Sequence, residues 1–332
     1  MKKVFRVAVV GCGAICANHI NGILASGEEI CALCDIDASA AESAAEKFSL
    51  NTNIYTDYIG MLEAEHPDSV HICTPHYLHA KMCIEALARG INVLCEKPLC
   101  ISEEELAEII KAAGESKAQL GVCLQNRYEP AILKLRELAG DDPVGALGIV
   151  SWNRDEKYYA SGEWRGKWDT EGGGVMINQA IHTLDLLQWI CGMPVCVTAH
   201  VSNDSLQGII EVEDTASALF ECENGKRINF FATNACGASF PAQLHIKNAE
   251  GEKLYADTKL VMKNGVPEAF DVPSEKTVGK AVWGKGHALL IRDFYSCLDS
   301  GKPFPIDAKE GGKVVRLVLS MYKSNGERIE II

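Results

Sequence analysis

The chain has 332 residues, enough for two hydrophobic cores, and its 45 acidic against 32 basic side chains leave a formal charge of −13. That balance argues against nucleic acid or an anionic membrane surface as a partner held by a general electrostatic field. No apolar run approaches the ~20 residues of a membrane span, and Met1-Lys2-Lys3 leads straight into a strand pattern, so a cytoplasmic protein is expected.

The apolar run Val7-Ala8-Val9-Val10 breaks at Gly11, Gly13 follows, and Ala14-Ile15-Cys16 opens a helical pattern. Strand, tight turn and helix N-terminus in this order form a cradle for a pyrophosphate, because small residues let backbone N–H groups approach the anion. Cys16 takes the third position, usually Gly or Ala, and is small enough for helix-to-strand packing. Asp35 closes the next apolar run, where a carboxylate can accept from both adenosine ribose hydroxyls. Neither Lys nor Arg occurs between Arg6 and Lys47, so a 2′-phosphate would meet like charge and no basic partner; NAD is expected over NADP.

Strands at 6–11, 29–35, 69–73, 91–95 and 120–124 alternate with helices at 14–26, 38–48, 57–64, 77–89 and 102–117. This predicts an α/β, doubly wound parallel (Rossmann) sheet over residues 1–125. Ser102 with Glu105 reads as a capping box. The 14 cysteines lie largely in such apolar segments (Cys31, Cys34, Cys73, Cys83, Cys123), where the thiol acts as a small hydrophobe, and no metal is expected.

After Gln125-Asn126-Arg127 a helix at 129–139 ends in Gly140-Asp141-Asp142-Pro143. Strands at 145–153, 195–202, 210–222, 226–234, 241–248 and 252–257 then dominate, and helices at 287–300 and 308–324 close the chain. An α+β second domain over 126–332 is expected, with an open, mostly antiparallel sheet that binds substrate and supports a homodimer or homotetramer. Within it, Tyr158-Tyr159 through Trp164-Arg165-Gly166-Lys167-Trp168 combine aromatic faces with cations, a pairing suited to a sugar ring. Gly172-Gly173-Gly174 then opens a helix that puts Asn178, His182 and Asp185 on one face.

With these motifs placed, the chain resembles the glucose-fructose oxidoreductase and inositol dehydrogenase (Gfo/Idh/MocA) family over essentially its whole length. The likeness rests on the Gly-x-Gly start, Thr74-Pro75 with His79, the triplet Glu96-Lys97-Pro98, the triple-glycine helix and the closing His287…Asp293-Phe294. It implies NAD-dependent hydride transfer at a secondary alcohol of a sugar, cyclitol or sugar derivative, with Lys97 at the reacting carbinol and His182 as acid/base. Cofactor contacts are expected from Gly11, Gly13, Ala14, Ile15, Asp35 and Ile36, from Thr74, Pro75, His79, Glu96 and Lys97, and from Trp164-Arg165. Substrate contacts are expected from Lys97, Arg127, Tyr159, Asn178 and His182.

The residue types fit that chemistry: imidazole titrates near neutrality and takes the alcohol proton, while an ammonium stabilises charge developing on the oxygen. Family members often carry aspartate where this chain has Asn178, and an amide cannot shuttle a proton. A redox-neutral glycosidase, lyase or isomerase that keeps NAD bound would carry the same motifs. A non-catalytic NAD-responsive regulator would need neither Lys97 nor His182.

Overall fold

The structure, a computed structural model, describes residues 3–272 and 284–331. Packing divides them into two units, residues 3–128 with 284–312, and residues 129–272 with 313–331. Among the described residues no helix is long and apolar enough to cross a membrane.

The first unit opens with β1 (Arg6–Val10), α1 (Cys16–Ser26), β2 (Glu29–Cys34), α2 (Ala38–Lys47), β3 (Asn53–Tyr55) and α3 (Tyr58–Glu65). It continues through β4 (Ser69–Ile72), a 3-10 turn at His76–Leu78, α4 (His79–Ala88), β5 (Asn92–Glu96), α5 (Glu103–Glu115), β6 (Leu120–Cys123) and a 3-10 turn at Gln125–Tyr128. All six strands run parallel in the order β3-β2-β1-β4-β5-β6. The order reverses between β1 and β4, which is where open α/β sheets gather their ligands. Val7, Val9, Val70, Ile72, Val93 and Leu94 are fully buried, as a sheet covered on both faces requires. Ser102 caps α5 through Glu105 N–H (3.1 Å), while the Glu105 carboxylate returns to Ile101 N–H (2.9 Å), a capping box displaced by one residue.

The second unit holds α6 (Pro130–Ala139), β7 (Gly145–Ser151), the short helices α7 (Glu156–Tyr159), α8 (Trp168–Glu171) and α9 (Val175–Asn178), and α10 (Ile181–Cys191). The strands β8 (Cys196–Ser202), β9 (Thr215–Glu221), β10 (Arg227–Thr233), β11 (Gln243–Lys247), β12 (Lys253–Ala256), β13 (Val261–Lys263) and β14 (Val266–Pro267) follow. The sheet has nine strands, ordered β14-β13-β12-β11-β7-β10-β9-β8-β15, where β15 is Ile329–Glu330. Every pairing is antiparallel except β7 with β10. Alternation sends Ala216, Ala218, Phe220, Ile228 and Phe230 inward, and leaves Ser217, Leu219, Asn229 and Phe231 on the other face, exposed or half-buried.

The closing helices correct the expected division at 125/126. α11 (Gly286–Ser300) packs in the first unit because its stripe of Leu290, Ile291, Phe294 and Tyr295 is fully buried there, against α1. α12 (Ala308–Ser324) begins in that unit and ends in the second. The single helix expected after Gly174 is also corrected: the run breaks at Gln179-Ala180 into α9 and α10, so Asn178, His182 and Asp185 do not share one continuous helical face. The strand expected at 210–222 forms only from Thr215, and β3, β13, β14 and β15 were too short to show a period.

Gly22 of α1 lies beneath Ile291 of α11, and a Cβ there would run into the Ile291 side chain. Gly22→Val should therefore lower the unfolding free energy by about 1–3 kcal/mol despite the better helix propensity of valine. Denaturant unfolding checks this; an unchanged or raised midpoint would contradict it.

Candidate active site

In the first unit the β1–α1 turn meets the end of β4. Gly11 has φ +87°, and a Cβ on it would stand 2.6 Å from the Cys73 carbonyl and 2.7 Å from Thr74 N, so only glycine lets the two loops approach. A Cβ at Gly13 would meet nothing within 4 Å, which leaves the turn open on that side. α1 starts without a side-chain cap and without an acid in its first turn; Ala14 and Ile15 supply the backbone there. These features leave donors and positive helix-end potential for an anion, so the cradle fits a pyrophosphate.

Asp35 lies just past β2, with one oxygen accepting from Cys12 N–H (2.7 Å) and the other from Asp37 N–H (3.0 Å). A carboxylate has about four acceptor positions, so it retains capacity for two ribose hydroxyls. Ile36 beside it is 94% exposed, an uncovered apolar side chain. Thr74-Pro75 forms the facing loop. His79 is fully buried, with Nδ1 2.6 Å from the Pro98 carbonyl and Nε2 2.8 Å from the Thr74 carbonyl. Its polar atoms thus tie the loop after β4 to the loop after β5.

Glu96 ends β5 and turns inward. Its Oε1 is 2.9 Å from His19 Nε2 and 3.4 Å from His287 Nε2, and its Oε2 accepts from Lys97 N–H at 3.2 Å. Burial alone would push this acid up, yet the imidazoles of His19 and His287 hold it well below the usual carboxylate range. Lys97 follows, half-buried, at the carboxyl edge of the sheet. Arg127, in the turn after β6, is buried with Nη1 2.9 Å from Glu310 Oε1.

In the second unit a half-buried polar network surrounds Asn178. Its amide nitrogen donates to Glu171 Oε1 and to the Tyr158 hydroxyl (3.2 Å), and that hydroxyl also accepts from Arg165 Nη1 (2.7 Å) and Gln179 Nε2 (2.9 Å). The guanidiniums of Arg154 and Arg165 sit 4.8 and 4.6 Å from the centre of the Tyr158 ring, and Arg165 is 4.4 Å from the Trp164 ring. Of the tyrosine pair, Tyr158 joins this network. Tyr159 packs with Leu206, Ile210 and Val212, its hydroxyl 3.1 Å from Asn234 Nδ2, so the structure gives it a core position. Glu171 accounts for an amide at 178: an aspartate there would set a second carboxylate against the fully buried Glu171.

Sequence reasoning missed Glu171 and Glu213, which lie outside the motifs. Glu213 is buried, and its oxygens accept from Gly174 N–H (2.9 Å), Met176 N–H (3.0 Å) and the Tyr322 hydroxyl (3.0 Å). A side chain at Gly174 would strike the Glu213 carbonyl, and one at Gly173 the Tyr322 hydroxyl, so the glycines are needed for this approach. The turn so fixed leads to α9 with Asn178 and then to α10, whose first turn carries the buried His182.

Burial pushes the Glu213 acid up to about 7, against 4.5 in an unfolded chain. The fold therefore favours its protonated form, and stability present below about pH 4.5 is lost as pH rises through 7, on the order of 3 kcal/mol. Glu213→Gln should remove that component, so the difference between variant and wild-type melting temperatures should grow from pH 4.5 to 7.5 in favour of the variant. Parallel melting curves across this range would contradict the assignment.

Residues 5–124 match the model of the oxidoreductase family with the NAD-binding Rossmann fold, and residues 132–252 match the GFO/IDH/MocA C-terminal domain. D-apiose dehydrogenase of Paraburkholderia graminis is 26% identical over 99% of this chain and 90% of its own. D-glucoside 3-dehydrogenase of Escherichia coli is 26% identical over 98% and 97%. The WlbA dehydrogenase from Bordetella pertussis, solved with NADH and UDP-GlcNAcA, superposes with a TM-score of 0.86 at 26% identity, covering 99% of this chain and 98% of that one. With both halves matched and the cradle built as its cofactor demands, the chain is an NAD-binding member of the Gfo/Idh/MocA oxidoreductase family.

Proposed function

We propose that the protein oxidises a secondary alcohol of a sugar, cyclitol or sugar derivative, with Lys97 and His182 as its polar catalytic groups. The observation that carries this reading is the placement of Lys97 directly after β5, at the same carboxyl edge of the parallel sheet as the Gly11–Gly13 cradle and Asp35. Such edges are where the fold assembles its ligands. Relatives named for apiose and glucoside oxidation support a carbohydrate alcohol as the substrate class.

NAD supplies the acceptor for the hydride that leaves the carbinol carbon. Lys97 stabilises the negative charge that grows on the carbinol oxygen, and His182 Nδ1 or Nε2 accepts the hydroxyl proton. Asn178, whose amide N–H groups point at Glu171 and Tyr158, accepts a hydrogen bond from a substrate hydroxyl through Oδ1 but holds no proton for transfer. The half-buried Arg165 and Trp164 contribute a cation and an aromatic face to the same reading. The exposed face of the nine-stranded sheet, with Leu219 and Phe231, is covered by a second copy in a homodimer or homotetramer.

A panel of sugars, cyclitols, glycosides and nucleotide sugars, followed by NADH absorbance, tests the activity; no NADH from any of them would contradict it. NAD should bind at least about tenfold more tightly than NADP, and Asp35→Ala should narrow that gap by weakening NAD. Calorimetric titration decides, and equal affinities in the wild type would refute the role of Asp35.

Lys97→Met should lower turnover by about 10²-fold or more while leaving NAD affinity within a few-fold. Oxidation by the wild type should rise with pH through a limb in the neutral range. His182→Asn should abolish that limb together with about 10²- to 10⁴-fold of the rate. A surviving limb would assign the base elsewhere, and Tyr158, with its converging donors, would be the next residue to replace.

A further inference from the structure

Behind Lys97 the first unit carries a continuous chain of buried polar side chains. Glu96 Oε1 meets His19 Nε2 (2.9 Å), His19 Nδ1 meets His71 Nδ1 (2.8 Å), His71 Nε2 meets the Tyr295 hydroxyl (2.9 Å), and that hydroxyl meets Ser69 Oγ (3.0 Å). All five side chains are at most a few per cent exposed. The chain joins the end of β5, α1, β4 and α11, and its Glu96 end bonds the backbone N–H of Lys97.

A core does not hold five polar groups in series unless each is satisfied, and the carboxylate sets the order. Glu96 as an anion can only accept, so His19 Nε2 must carry a proton directed at it. The bond between the two Nδ1 atoms then requires one ring to donate and the other to accept, and the Tyr295 hydroxyl completes the chain in either direction because it can donate and accept. Cys123 on β6 and His287 on α11 also face Glu96, as does Lys97 itself.

We propose that Glu96 and His19 are positioning residues for Lys97. The chain from Ser69 to His19 holds the Glu96 carboxylate in one place as an anion, and the carboxylate, through the Lys97 N–H, fixes the backbone from which the Lys97 side chain reaches the substrate. This rests on the reading of Lys97 as the group that stabilises charge on the carbinol oxygen. Glu96 then serves from the interior, through its neighbour, instead of touching the cofactor.

The same atoms offer a rival use. His19, Glu96, Cys123 and His287 place their ligating atoms within 4.8 Å of one another, a donor set that suits a borderline divalent cation. Bound metal would occupy His19 Nε2 in place of the proton, so the two assignments exclude each other.

The experiment uses the full chain with NAD bound and four variants: Glu96→Gln, His19→Leu, His19→Gln and Lys97→Met. Turnover is read as NADH formed from the panel compound that the wild type oxidises fastest, with KM and NAD affinity measured alongside. Imidazole 15N–1H correlation spectra report the His19 Nε2 proton. Glu96→Gln puts an amide N–H against a donor, and His19→Leu leaves Glu96 and His71 without their partner; each should lower kcat at least tenfold, with NAD affinity within about threefold. His19→Gln should retain kcat within about threefold, because its amide nitrogen replaces Nε2–H toward Glu96 and its oxygen faces His71. The His19 Nε2 proton should appear downfield and slowly exchanging in the wild type and in Lys97→Met, and shift or vanish in Glu96→Gln.

Full turnover in Lys97→Met would overturn the reading of Lys97 on which the proposal rests. A slow Lys97→Met beside near-normal Glu96→Gln and His19→Leu would overturn the positioning role alone. One equivalent of a divalent cation in the purified holoprotein, by elemental analysis, would also overturn it.

Discussion

The carboxyl edge of the nucleotide-binding unit depends on one buried anion, Glu96. Glu96 sits at the end of a central strand with almost no access to water, where an unpaired carboxylate would be prohibitive. Its compensation comes from α1 through His19, from α11 through His287 and from the backbone of Lys97. Satisfying one charge therefore brings three separate elements to the carboxyl edge of the sheet. Through His287 it adds a polar tie to α11, which the burial of Leu290, Ile291, Phe294 and Tyr295 brings to this unit.

The second unit is organised around two further buried acids, of which Glu213, unlike Glu96, is favoured in its protonated form. Glu213 gathers the N–H groups of the glycine turn, and Glu171 anchors Gly166 and Asn178. Around them Tyr158, Arg165 and Gln179 form a network whose members fix one another's orientation. Polar side chains on a turn need such support to hold one orientation, and a site that depends on them loses proximity and electrostatic stabilisation with a displacement of even about 1 Å. The glycines at 173 and 174 serve close approach to Tyr322 and Glu213 more than flexibility.

Much of the fold was legible in the sequence because its signals are local. The Gly11–Asp35 spacing, the alternating strands and helices, and the Ser102 cap each rest on residues within one turn or one βαβ unit. What stayed hidden depends on partners remote in sequence. The return of α11 to the first unit follows from Leu290 and Phe294 finding a surface near the N-terminus, which periodicity cannot specify. The break between α9 and α10 carries no Gly or Pro to announce it. Tyr158 and Tyr159 are neighbours of equal chemistry, and only the packing of Tyr159 against Leu206 and Ile210 separates their roles. Asn178 read as a departure from the family until Glu171 appeared beside it, and His79 lost its polar atoms to two carbonyls that no motif reveals.

The claim that most needs a direct test is that the chain releases what it reduces. With deuterium on the carbinol carbon of the panel alcohol that the protein oxidises, NMR and absorbance together measure how much free, deuterated NADH accumulates for each molecule of sugar consumed. One equivalent is expected, with the deuterium on nicotinamide C4. Consumption of the sugar with only a catalytic trace of NADH, and deuterium retained in the product, would show instead that the cofactor is recycled in place, and the dehydrogenase reading would fall.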